Sequence, residues 1–148
     1  MVGGVPRLVK DAMSRNVVAV SPDASVYRAA VLMAERGVGS CVVLRDEKLA
    51  GIVTERDLVR RVIAKGLSPK RTRIGDVMSA PVTVVGENAT LEEAVDIMAD
   101  QGVKRLVVVG EGGVVGVVSV SDILRAMARA EAEIRGIPRI FLRKESET

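Results

Sequence analysis

Apolar positions follow one order twice along the chain. Residues 17–20 and 82–85 are valine-rich runs of strand length. Polar residues follow each run, and then the period changes. Leu91, Ala94, Val95 and Met98 fall at i, i+3, i+4 and i+7, which predicts a helix over 91–101 with one apolar face. Thr90 with Glu93 three residues on is a capping box, and Ser25 opens the matching first-copy helix. Gly102 and Gly37 stand where a left-handed stop is needed. Strands at 41–44 and 49–53 come next, joined by a turn at 45–48. Their counterparts lie at 106–109 and 114–118, joined at 110–113. A second helix starts near Asp57 or Asp122. The first should end at Gly66, and the other should run through Ile134 to Gly136. Each copy therefore reads β-α-β-β-α. The expected class is α/β (α+β), with mixed strand pairing and helices on one face of each sheet. The bare apolar faces left over predict that the two pseudo-twofold-related copies pack sheet to sheet.

The copies are related by a constant offset of 65 residues without a gap. Of 54 aligned positions, 17 are identical. Such a repeat has to be found before any fold is assigned. It divides the chain into repeat one (8–65), a basic linker (66–73), repeat two (74–130) and a C-terminal extension (131–148). From Arg60 to Arg73 there are six basic residues and no acid. The extension holds Pro138 and the apolar run 140–142, which reads as an added arm or strand.

Composition narrows the chemistry. With 148 residues and 48% of them apolar, a sizeable core is available. It must be aliphatic, because Tyr27 and Phe141 are the only aromatics. Residues 1–10 have no signal-peptide pattern and no apolar run is long enough to span a membrane, so a cytoplasmic protein is expected. A single cysteine, Cys41, excludes an internal disulfide and fits a reducing compartment. Its apolar strand setting makes it a small core residue. No histidine exists, which removes the commonest general base and metal ligand. Neither a GxxxxGK[ST] loop nor a GxSxG elbow is present. The glycines at 110–113 follow a valine run but precede a strand, so they form a hairpin turn and not a dinucleotide loop. These features point away from an enzyme.

The segments that can carry chemistry are two strand-to-helix junctions in register. One reads Gly51-Ile52-Val53-Thr54-Glu55-Arg56-Asp57, the other Gly116-Val117-Val118-Ser119-Val120-Ser121-Asp122. Each brings a hydroxyl to a helix start and a carboxylate three residues later. Backbone N–H groups there favour an anion, and a carboxylate can accept from both hydroxyls of a sugar diol. The same residues also make a helix cap, with Asp closing the box. Both readings can hold together.

With these units the chain resembles a tandem pair of cystathionine-β-synthase (CBS) domains over residues 8–130. The resemblance is carried by Asp11-Ala12-Met13-Ser14 and Asp76-Val77-Met78-Ser79, by the Gly-Val after each first helix, and by the two Gly-x-x-[Thr/Ser]-x-x-Asp units. It implies a sensor of adenine nucleotides or related adenosyl ligands, AMP foremost, held in clefts between the repeats. Thr54 and Ser119 match the family's phosphate- or ribose-contacting hydroxyls, and Asp57 and Asp122 its ribose-binding acids. Arg56 and Ser121 match positions that face the phosphate. The resemblance further assigns Val17, Val38, Gly39 and Ser40 to the cleft of Asp122. To the cleft of Asp57 it assigns Val82, Thr83, Val103, Lys104 and Arg105. The latter cleft is the more basic and should favour phosphates.

The expected function is thus a non-catalytic regulatory module that acts on a separate effector protein. A twofold homodimer is expected from an apolar face of Val26, Ala29, Ala30 and Met33. The alternatives are a dimerising scaffold without ligand, or a weak nucleic-acid binder through the basic linker. The mild net charge of +3 and scarcity of aromatics argue against the last.

Overall fold

The computed structural model describes residues 5–136, so the expected C-terminal arm around residues 140–142 lies outside the described residues. Two compact units are present. The first is Asn16–Val82, and the second joins the residues up to Arg15 with those from Thr83 onward.

The first unit is built on a three-stranded sheet of β1 (Ala19–Val20), β2 (Ser40–Arg45) and β3 (Lys48–Thr54). β1 runs parallel to β2, and β2 antiparallel to β3. Helix α2 (Val26–Arg36) connects β1 to β2. Its N-cap hydroxyl, Ser25, accepts from the Arg28 N–H, and Gly37 ends it at φ 65°. The second unit repeats this plan with β4 (Val84–Gly86), β5 (Arg105–Gly110), β6 (Gly113–Ser119) and helix α5 (Leu91–Gln101). The register is conserved under the 65-residue shift: Val42 faces Ile52, and Val107 faces Val117. The mixed α/β class and the mixed strand pairing agree with expectation. The hairpin turns sit where the pattern put them; the glycine-free one is closed by Asp46 and Glu47 at positive φ.

The first strand of each copy is shorter than 17–20 and 82–85 suggest. Val18 supplies only its carbonyl, to the Val42 N–H at 2.9 Å, and Thr83 likewise to Val107 at 3.2 Å. The closing helices differ too. In the second unit α6 (Val120–Ile134) is regular over its whole length. In the first, α3 (Glu55–Leu58) widens into a π-helical turn over Val59–Ile63, then ends at Gly66 with φ 70°.

Two one-turn helices, α1 (Val9–Ala12) and α4 (Ile74–Val77), escape sequence reading, because four residues cannot display a helical period. They also reveal how the units relate to the repeat. Ile74 and Val77 lie in the first unit's core with Val26, Val43 and Val53, although they open the second sequence copy. Val9 and Met13 lie in the second unit's core with Leu106 and Val118, although they open the first copy. Ser79 pairs with Ile52 on β3, and Ser14 pairs with Val117 on β6. The compact units are therefore phased differently from the sequence repeat, each taking its leading segment from the other copy.

Gly51 and Gly116 make these pairings possible. A Cβ on Gly116 would lie 2.8 Å from the Ser14 carbonyl oxygen and 2.7 Å from Met13 Sδ. Gly116→Ala should therefore destabilise by about 1–3 kcal/mol through overpacking. Chemical denaturation would read it, and Gly112→Ala, where a Cβ meets nothing within 4 Å, serves as the control.

One expectation is corrected here. Val26, Ala29 and Met33 do not present a face to a second copy; they are 2%, 0% and 3% exposed and form the first unit's own core. Their spacing is that of any helix lying on its own sheet, so periodicity alone could not say which surface covers them. The exposed apolar residues are others, among them Tyr27, Val59, Ile63 and Leu67 in the first unit and Val95, Leu124 and Met127 in the second.

Candidate functional site

Each junction is built by a hairpin that ends at a helix start. β3 delivers Thr54, whose Oγ1 accepts from the Asp57 N–H at 3.1 Å, while Asp57 Oδ2 accepts from the Thr54 N–H at 2.9 Å. β6 delivers Ser119, whose Oγ accepts from the Asp122 N–H at 3.0 Å, with Asp122 Oδ2 accepting from the Ser119 N–H at 2.9 Å. The cap reading is thus realised at both junctions, to within 0.1 Å of the same geometry. The next N–H is also held: Glu55 donates to the Gly39 carbonyl and Val120 to that of Lys104, both at 3.0 Å. Ser40 pairs with Thr54 and Arg105 with Ser119 across the hairpins.

The second carboxylate oxygen faces an arginine in each unit. Arg125 donates to Asp122 Oδ1 at 3.0 Å. In the first unit Arg61 Nε lies 3.8 Å from Asp57 Oδ1. The sequence repeat pairs Arg125 with Arg60, three residues after the acid, yet Arg61, four residues after, takes the place. The π-helical turn adds a residue per turn and moves position +4 over the carboxylate. Arg61 also donates to the Val77 carbonyl at 2.8 Å, tying this helix to the end of α4. Arg125 Nε is buried without a hydrogen-bond partner. No sequence signal marked either arginine as a partner of the acid, because the distinction lies in helix geometry.

The two acids are largely buried, with side chains 15% and 13% exposed. A third box, Thr90 with Glu93, caps α5 at the surface and uses the longer acid. A carboxylate already bonded through two oxygens keeps free lone pairs, since its two oxygens offer about four acceptor positions.

The remaining predicted residues fall as follows. Thr54, Arg56, Asp57, Val17, Val38, Gly39, Ser40 and Val82 belong to the first unit. Ser119, Ser121, Asp122, Thr83, Val103, Lys104 and Arg105 belong to the second. Within its unit each junction gathers a hydroxyl, an acid and the segment after the first helix: Val38 and Val103 are tied by their N–H groups to Met33 and Met98. Arg56, Lys104 and Ser121 are exposed. Cys41 is fully buried, its thiol pushed up to about 11 by desolvation. It is a core residue, as expected. Among the described residues no cluster of acids and cysteine could hold a metal ion, and no helix is long and apolar enough to cross a membrane.

Comparison with known proteins agrees with the resemblance. The CBS domain model matches residues 9–64 and 74–129. The uncharacterised protein MK0525 of Methanopyrus kandleri is 39% identical over 120 residues, covering 79% of this chain and 61% of that protein. The mitochondrial CBS domain-containing protein CBSX3 of Arabidopsis thaliana is 36% identical over 117 residues, covering 75% and 56%. The chain thus spans less than two thirds of either relative. A hexameric CBS-CP12 protein from bloom-forming cyanobacteria superposes with a TM-score of 0.76 at 32% identity, covering 84% of this chain and 73% of that one.

Proposed function

The chain belongs to the CBS-domain family, a family of regulatory modules, and from that premise we propose that it is a non-catalytic module that binds an adenine nucleotide and signals its presence to a separate partner protein. The observation that carries this reading is the twin junction: a hydroxyl and a largely buried carboxylate at a helix start, occurring twice in one geometry. In this reading Asp57 and Asp122 accept from ribose hydroxyls, Thr54 and Ser119 touch ribose or phosphate, and exposed Arg56 and Ser121 face the phosphate. AMP is the foremost ligand. The chain has no histidine to act as the commonest general base, and its one thiol is buried.

Calorimetry against AMP, ADP, ATP and S-adenosylmethionine tests it. Saturable binding of at least one adenosyl ligand is expected, with none to the matching guanine nucleotide. A thermal shift should follow, because a ligand that binds only the folded state stabilises it by mass action. One observation favours a second reading, a scaffold without ligand: the caps at both junctions are closed by the protein's own groups. Silence across the whole panel would select that reading.

A further inference from the structure

The two junction acids are not equally free. In both, Oδ2 accepts from the backbone N–H of the capping residue. The difference lies at Oδ1. Asp122 Oδ1 accepts from Arg125 Nη2 at 3.0 Å, a charge-assisted hydrogen bond. Asp57 Oδ1 has Arg61 Nε at 3.8 Å, an ion pair beyond hydrogen-bond range. Arg61 is anchored elsewhere. Its Nη1 donates to the Val77 carbonyl at 2.8 Å and to the Met78 carbonyl at 3.3 Å. Arg125 has no such anchor. Among the described residues Asp122 is its one hydrogen-bond acceptor, and its Nε is buried and unpaired. The cause is helix geometry. Regular α6 brings position +3 to the acid, whereas the π-helical turn brings position +4, from which the guanidinium also reaches the end of α4.

We infer that Arg125 is a built-in competitor for the ligand's ribose, so that the Asp57 junction fills first and the Asp122 junction only at higher ligand concentration. The inference rests on the nucleotide reading above and adds an order of filling to it. A ribose hydroxyl binds a carboxylate by donating to it. At Asp57 it meets an Oδ1 with no hydrogen bond to displace, and Arg61 keeps both of its carbonyls. At Asp122 it must share or displace a charged donor. Displacement strands a guanidinium whose Nε already lacks an acceptor, which is costly. Simple charge attraction gives Arg125 the opposite sign, because a cation beside a phosphate-bearing ligand should strengthen binding. One substitution therefore separates competition from attraction.

Calorimetric titration of the full chain with AMP tests it. Asp122→Asn leaves the first junction intact, and Asp57→Asn leaves the second. The Asp122→Asn protein is expected to bind AMP at least about tenfold more tightly than the Asp57→Asn protein. Adding Arg125→Met to Asp57→Asn should tighten binding at least about fivefold, although it removes a cation. Adding Arg61→Met to Asp122→Asn should bring no gain, because Arg61 makes no hydrogen bond to the acid. Circular dichroism checks folding, and Arg125→Ala replaces Arg125→Met should the latter not fold. Weaker binding on loss of Arg125 would make it a ligand contact and overturn the inference. Equal affinity of the two starting variants, or an equal gain from Arg61→Met, would overturn it too, and each of these three results leaves the nucleotide reading standing. No AMP binding by the parent chain would overturn the inference together with AMP as the foremost ligand.

Discussion

Ile74→Ala is expected to lower the unfolding free energy by about 2–5 kcal/mol, the usual cost of a cavity left by a fully buried isoleucine. Ile74 is 0% exposed and packs in the core that holds Val26, Val43 and Val53. More telling is where the loss should fall. Read by the sequence repeat, Ile74 opens the second copy and would be expected to support residues 74–130. Read by the structure, it supports the first unit. Hydrogen exchange should therefore show protection lost mainly in β2 and β3, with β5 and β6 less affected. Val9→Ala should show the reverse pattern, because Val9 sits under Leu106 and Val118. If Ile74→Ala instead loosened β5 and β6 first, the phasing of the units described above would be wrong.

That phasing marks the limit of what could be read from the chain. Elements with a full period were legible: α5 was placed residue for residue, because its apolar stripe and its Thr90 and Gly102 caps agree on one span. The hairpins were legible to within a residue or so, since alternation and turn residues bracket them. What stayed hidden depends on three-dimensional partners. A strand as short as Ala19–Val20 is set by which carbonyls meet β2, not by valine content. The π-helical turn over Val59–Ile63 has no composition of its own, yet it decides that Arg61 and not Arg60 meets Asp57. The leading segments Val9–Ala12 and Ile74–Val77 carry the same motif, so the sequence could show that they correspond but not which core each one fills. At the junctions the residue types and spacing were legible. The commitment of Asp57 and Asp122 to the backbone was one of two open readings, and the structure shows that it is made.

Asp122 can separate its two roles if two substitutions are compared. Asp122→Ala removes the acceptor for the Ser119 N–H and the partner of Arg125, whose Nε already lacks one. It should cost about 0.5–2 kcal/mol of stability as a lost cap. Asp122→Asn leaves an oxygen to accept from the Ser119 N–H, so the cap survives, but its amide NH2 then faces Arg125 and that contact is lost, so the melting temperature should fall less than with Ala. What Asn cannot supply is a charged acceptor for a ribose diol. Loss of a charge-assisted hydrogen bond weakens binding by about 1.5–3 kcal/mol, roughly tenfold to a hundredfold in affinity at that junction. The expected pattern is that both lose nucleotide affinity to a similar degree, whereas Ala loses clearly more stability than Asn. To read one junction at a time, both variants are titrated with AMP in an Asp57→Asn background. Should Asp122→Asn bind AMP there as tightly as its Asp57→Asn parent, the acid is a helix cap and nothing more, and the nucleotide, if one binds, is held by other groups.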